Sequence, residues 1–211
     1  IPALESPGRF ARYATCGKWM WAPHLRALDA EVCRTLYEPV RDIVAMPPRS
    51  GKSMLISQMT PAWYLMNRPD ARIISVTYAR ELAVDRDASL AALLPDHAAL
   101  LGVPEAAPKG GKRAAATRFT TEAGGTYIAV GARGPITGRG ADLLLVDDII
   151  KNSEEADSET HREKVWTWFA TTAMSRLMPG ASVFVVATRW HTDDLSGRLT
   201  EQDGAEHYDW R

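Results

Sequence analysis

The chain has 211 residues, enough for one α/β domain with its own core, and its 45% hydrophobic and 24% charged residues are those of an ordinary globular protein. A formal net charge of −1 excludes a global basic field, so any nucleic-acid contact must be local or assembled from several copies. The two cysteines, Cys16 and Cys33, offer neither metal-ligand spacing nor a disulfide framework, which suits a reducing compartment, and neither a transmembrane-length apolar run nor a signal-peptide pattern is visible.

Residues 1–22 are mixed in character and Trp-rich (Trp19, Trp21), and read as an N-terminal extension or arm ahead of a domain spanning 23–211. Pro23-His24 opens a helical pattern with Leu25, Leu28, Val32 and Leu36 on one face. His24 lies just upstream of the next strand, so it reads either as an adenine-pocket side chain or as a residue that caps or decorates the helix. Ile43–Met46 is a short apolar strand that stops at Pro47-Pro48. Arg49, Ser50, Gly51, Lys52 and Ser53 follow, and then Met54, Leu55, Met59 and Trp63 at helical spacing.

Strand, tight turn, Gly-Lys-Ser and helix make a phosphate-binding P-loop. In such a loop Pro48 to Ser53 surround an anion with backbone N–H groups at a helix N-terminus, Lys52 reaches the β/γ-phosphates, and the Ser53 hydroxyl ligates Mg²⁺. The usual pattern G-x-x-x-x-G-K-[ST] wants glycine where Met46 stands.

Asn67–Asp70 is a turn, Arg72–Tyr78 a second β-branched strand, and Glu81–Leu94 a helix expected to end at Pro95. This alternation predicts a mostly parallel sheet with right-handed crossovers. Pro104–Lys112 reads as a loop. Its neighbouring cations Lys109, Lys112, Arg113 and Arg118 are either simply solvated or a phosphate-tracking DNA contact. Arg118–Thr121 and Thr126–Val130 flank a Gly-containing turn and form a hairpin, and Gly131–Gly140 is a Gly-rich loop. Leu143–Val146 is a buried strand ending in Asp147-Asp148. Asp157 or Ser158 caps a helix carrying Val165, Trp168, Phe169, Thr172 and Leu177 and ended by Pro179-Gly180. Ser182–Ala187 is another strand, closing on Thr188-Arg189-Trp190-His191, and Thr192 or Asp193 starts a last helix to about Glu201.

A carboxylate at the end of a buried strand downstream of a P-loop suits Mg²⁺-nucleotide chemistry, with Asp147 holding the metal beside Ser53. Asp148, next to it, is placed to orient or deprotonate an attacking water, or else caps a turn. It is one methylene shorter than the Glu usual there, which leaves Glu154 or Glu155 as a reserve base. Phosphoryl transfer rewards positive charge near the γ-phosphate, where an arginine finger adds roughly 10³–10⁵ in rate. Two arginines qualify: Arg139, flanked by Gly138 and Gly140 and able to reach a neighbouring subunit, and Arg49 inside the loop. Thr188, at a strand end, is positioned to report hydrolysis.

The blocks PPRSGKS, TGRGADLLLVDDIIKN and ATRWHTDDLSGRL, in this order and spacing, resemble the ATPase domain of large terminase subunits, the genome-packaging motors of tailed phages. The resemblance runs from about Pro23 to Arg211. It implies an additional-strand P-loop NTPase of the RecA/terminase type that uses ATP and Mg²⁺ to drive double-stranded DNA into a procapsid. The implied partners are the portal protein, the small terminase subunit and copies of this chain, ring-forming at the portal and monomeric when isolated, in the host bacterial cytoplasm. By the same resemblance Lys52 and Ser53 match the Walker A pair, Asp147 the Walker B carboxylate, Asp148 the catalytic acid and Thr188 the coupling motif, while Arg139 falls where a trans-acting finger lies. Relatives carry a nuclease domain after this region; the chain stops about where it would begin, and no DNA cleavage is expected from it. Three rivals share parts of this pattern: a superfamily 2 helicase-like ATPase, which needs a second RecA-like domain, a small-molecule P-loop kinase, which has no use for Asp148, and a nucleotide-gated assembly module with little turnover.

Overall fold

A computed structural model of the chain describes residues 1–109, 118–132, 134–202 and 210. Six strands, β1 (Arg41–Ala45), β2 (Arg72–Thr77), β3 (Arg118–Thr120), β4 (Thr126–Gly131), β5 (Ala141–Asp147) and β6 (Leu177–Ala187), form a single sheet in the order β1-β6-β5-β2-β4-β3. All neighbouring pairs are parallel except the β3–β4 hairpin, which is antiparallel at the edge. Strand β6 lies between the P-loop strand β1 and β5, the inserted strand expected of the additional-strand class.

The near-continuous apolar runs of β5 and β6 follow from burial on both faces, as in other parallel sheets. Alternate residues go to opposite sides. Leu143, Leu145, Phe184 and Val186 pack with α1 (Pro7–Ala14), α2 (Pro23–Arg34), α3 (Thr60–Asn67) and α4 (Arg80–Leu100). Leu144, Val146, Val183 and Val185 pack with α6 (Glu159–Trp168) and α7 (Leu195–Gln202). The short α5 (Ser153–Asp157) leads into α6.

Residues 1–22 do not stand away from this body. Phe10 and Ala11 are fully buried, the Trp63 indole Nε1 donates to Leu4 O at 2.8 Å, and Gly8 N donates to Asp29 Oδ1 at 2.6 Å.

Several boundaries differ from the sequence expectation, three of them at helices. Helix α4 continues through Pro95 to Leu100. An interior proline costs about 3 kcal/mol, but Leu90, Leu94, Ala98 and Leu101 are all buried on the core, and each buried leucine contributes about 1.5–3 kcal/mol. The helix after Ser158 ends early: α6 passes into a π-turn at Phe169–Ala173 and a 3₁₀-turn at Met174–Arg176, and β6 already begins at Leu177. Pro179-Gly180 sits in the exposed first part of that strand, where the pairing shifts register and Gly180 takes φ +80°, so neither residue breaks a ladder bond in the interior. Helix α7 is capped by Asp194, whose Oδ1 accepts from Gly197 N at 2.9 Å, rather than by Thr192 or Asp193.

Candidate active site

The C-terminal ends of β1, β6 and β5 lie side by side, with Ala45 opposite Ala187 and Val186 opposite Asp147. In open α/β sheets ligands gather beyond this edge. Met46 still belongs to the ladder, its N–H donating to Ala187 O at 3.2 Å, so the turn begins only at Pro47 and no glycine is required at position 46. The turn itself uses two left-handed residues, Arg49 (φ +59°) and Gly51 (φ +89°). A Cβ on Gly51 would also stand 3.2 Å from Leu25 Cδ1 on α2.

Beyond the turn the helix is not regular. Met54–Met59 is a π-segment in which Thr60 N–H bonds to Leu55 O, one residue further back than in an α-helix. Pro61, lacking an N–H, could not have completed the α-pattern to Ser57. Such π-bulges are frequent at functional sites. Here the widened turn carries Ser57, whose hydroxyl donates to Asp147 Oδ2 at 2.6 Å. Ser53 Oγ donates to Asp147 Oδ1 at 3.0 Å. From α4, Arg86 Nη2 approaches Asp147 Oδ2 at 2.8 Å.

Asp147 is thus fully buried with three neighbours on two oxygens. Burial pushes its pKa above the ordinary value, and the adjacent Asp148 adds to that, against the opposing pull of Arg86, Ser57 and Ser53.

Lys52 is 4% exposed, and its Nζ lies 2.9 Å from Thr188 Oγ1 and 3.6 Å from Asp148 Oδ2. Asp148 takes φ +46°, an uncommon conformation for a residue with a side chain, held by two bonds to β6: its N–H donates to Val186 O at 2.8 Å, and its Oδ1 accepts from Thr188 N at 2.9 Å. Ser50 Oγ and Thr77 Oγ1, the latter opposite Asp147 in the ladder, are buried with no hydrogen-bond partner among the described residues.

The remaining expected residues are dispersed. His24 is exposed, with Nε2 2.9 Å from Ser50 O, so α2 does touch the loop. Pro48 and Arg49 are exposed on the turn. Glu155 accepts from Lys151 N at 2.9 Å and faces His161 at 3.6 Å, which commits it to the α5–α6 corner, and Glu154 is exposed. Arg139 precedes β5 and therefore stands at the opposite end of that seven-residue strand from Asp147, roughly 20 Å away. Lys109 is exposed and its N–H donates to Thr120 O at 2.8 Å, whereas Lys112 and Arg113 lie outside the described residues. Sequence reasoning missed Ser57 and Arg86. Ser57 had one signal, its i+4 spacing from Ser53 on a helix; Arg86 had none.

The family described as "Terminase large subunit, T4likevirus-type, N-terminal" matches residues 43–210, which takes in the loop, both aspartates and Thr188. The chain belongs to that family. The terminase fold is evident as well: the crystal structure of the HK97 bacteriophage large terminase superposes with a TM-score of 0.52 at 16% sequence identity, over 87% of this chain. That overlap spans 36% of the HK97 terminase chain. No curated protein matches this terminase chain.

Proposed function

We propose that this chain is the ATP-hydrolysing motor module of a DNA-packaging terminase. The observation that carries the reading is the convergence of Lys52, Ser53, Asp147, Asp148 and Thr188 at the ends of three adjacent parallel strands. The nucleotide phosphates fit the turn, where a buried lysine and the orphan hydroxyl of Ser50 can both donate to phosphate oxygens. Mg²⁺ fits as well. Ser53 Oγ and the Asp147 carboxylate are hard oxygen donors, and a pair suffices for an ion that takes the rest of its shell from phosphates and water. When bound, the ion neutralises charge on the β- and γ-phosphate oxygens.

The protein's own groups do the rest. Lys52 exchanges Asp148 and Thr188 for phosphate oxygens, which frees the Asp148 carboxylate to orient an attacking water and accept its proton. Thr188, bonded to both Lys52 and Asp148, registers that exchange and passes it along β6. Arg139 serves a neighbouring copy rather than its own site, because of its distance along β5. Double-stranded DNA, the portal protein and the small terminase subunit are the proposed partners, in the host cytoplasm. No helix among the described residues is long and apolar enough to cross a membrane.

Family membership favours this reading over a superfamily 2 helicase or a kinase. Phosphate release from ATP, measured over a protein concentration series with and without double-stranded DNA, tests it. Wild-type chain is expected to release phosphate with a specific activity that rises with concentration, and Lys52→Ala to fall by on the order of 10²-fold or more. Equal rates in the two proteins would remove the P-loop assignment, and no release from wild type at any concentration would favour the gated assembly module.

A further inference from the structure

Arg86 lies seven residues into α4, is 12% exposed, and has no part in the P-loop pattern. Its Nη2 pairs with Asp147 Oδ2, while its Nη1 is buried with no partner among the described residues. An ion pair placed for stability alone would use the whole guanidinium fork, since a buried N–H left unmade is costly. This one engages only half of the fork, on the single carboxylate that the proposed cation also needs. Both oxygens of Asp147 are in use, Oδ1 by Ser53 and Oδ2 by Ser57 and Arg86. A divalent ion on that buried carboxylate and a guanidinium still bonded to it would stand within about 5 Å of each other, where like charges repel.

We infer that Arg86 is a built-in competitor for the divalent-cation position: the cation reaches Asp147 by displacing the Arg86 guanidinium, and metal occupancy is thereby coupled to helix α4. The inference rests on the P-loop reading above and adds a residue which that reading does not require. Arg86 is a positioning residue in this account. It touches the carboxylate that holds the ion, and once released its free fork becomes available to an acceptor elsewhere on the α4 face.

The decisive experiment is a Mn²⁺ titration of the full chain without nucleotide, following free Mn²⁺ by electron paramagnetic resonance, in wild type, Arg86→Gln and Arg86→Lys. Arg86→Gln is expected to bind Mn²⁺ about tenfold more tightly or better, because the competing charge is gone, with Arg86→Lys between it and wild type. Unchanged or weaker binding by Arg86→Gln overturns the inference. Because Arg86→Gln leaves Asp147 without its cation and can destabilise the fold, a second measurement uses the wild-type chain alone. Its Arg86 guanidinium resonance, assigned by its loss in Arg86→Lys, is expected to shift when Mg²⁺ is added, and an unmoved resonance overturns the inference equally. ATP binding by wild type in EDTA reports on the P-loop by itself. Loss of that binding is therefore a failure of the functional reading, distinguishable from a failure of Arg86.

Discussion

Strand β5 carries an arginine-paired aspartate near each end, and the two pairs are built differently. At the start, Asp142 takes both Nε and Nη2 of Arg72 on separate oxygens at 3.0 and 2.9 Å, plus the Arg72 backbone N–H at 2.8 Å. Burial alone would raise its pKa, but the combined bonds and charge of Arg72 outweigh it and hold the carboxyl below the ordinary range. At the other end Asp147 is more deeply buried, uses one nitrogen of Arg86, and ends with its pKa above the ordinary range. A closed, bidentate pair is what a structural contact looks like. A half-used pair around an over-buried carboxylate marks a site with further business, because its cost is carried until something better binds.

The sharpest way to test this contrast is through catalysis. Asp148→Asn, next to the unsettled pair, is expected to keep ATP affinity while turnover falls roughly 10²–10⁴-fold, read by phosphate release beside equilibrium binding of a fluorescent ATP analogue. A fully active variant would remove Asp148 as the base. Asp142→Asn, at the settled end, is expected to leave turnover per folded molecule unchanged.

A smaller expected effect concerns Arg139. If it completes a neighbour's site, mixing Arg139→Ala with Asp148→Asn should restore part of the activity that each lacks alone, under conditions where the chains assemble. Absence of any rescue there would leave Arg49, on the loop itself, as the finger.

The smallest effects are on stability. Asp142→Asn is expected to cost about 1 kcal/mol, modest because Arg72 is more than a third exposed. The two ends should also respond to acid in opposite directions. Asp142, with its folded pKa lowered, contributes stability above the unfolded value near 3.8 that is lost as pH falls through the folded one. Asp147, with its folded pKa raised, binds a proton in the folded state first, so the fold recovers stability as pH drops towards 3.8 from above. Urea midpoints should therefore rise in wild type relative to Asp147→Asn as the pH falls towards 3.8, and fall relative to Asp142→Asn below it. Parallel curves for all three proteins would dissolve the distinction between the two pairs.

Much of the site is legible in short stretches of the chain. The loop from Pro47 to Ser53, the strand that delivers Asp147-Asp148, and the strand that ends at Thr188 are local patterns: an apolar run fixes a buried strand, prolines and a glycine stop it, and the residues at its end inherit their place at the sheet edge. Chain order alone therefore points to the loop and strand-end residues of the candidate site, and with them the parallel α/β class. Contacts between elements distant in sequence are another matter. Nothing in a helical stretch reading ELAVDRDASL says that Arg86 reaches a carboxylate far along the chain, since that depends on β2 and β5 lying side by side. The same neighbourhood puts Ser57 onto Asp147 through a π-segment that helical periodicity cannot express, and it holds α4 together through Pro95 because burial along the core outweighs a local cost. The loop and strand-end residues were written into short segments; which helix residues join them, and how loosely all of these hold one another, was decided only when the strands were laid together.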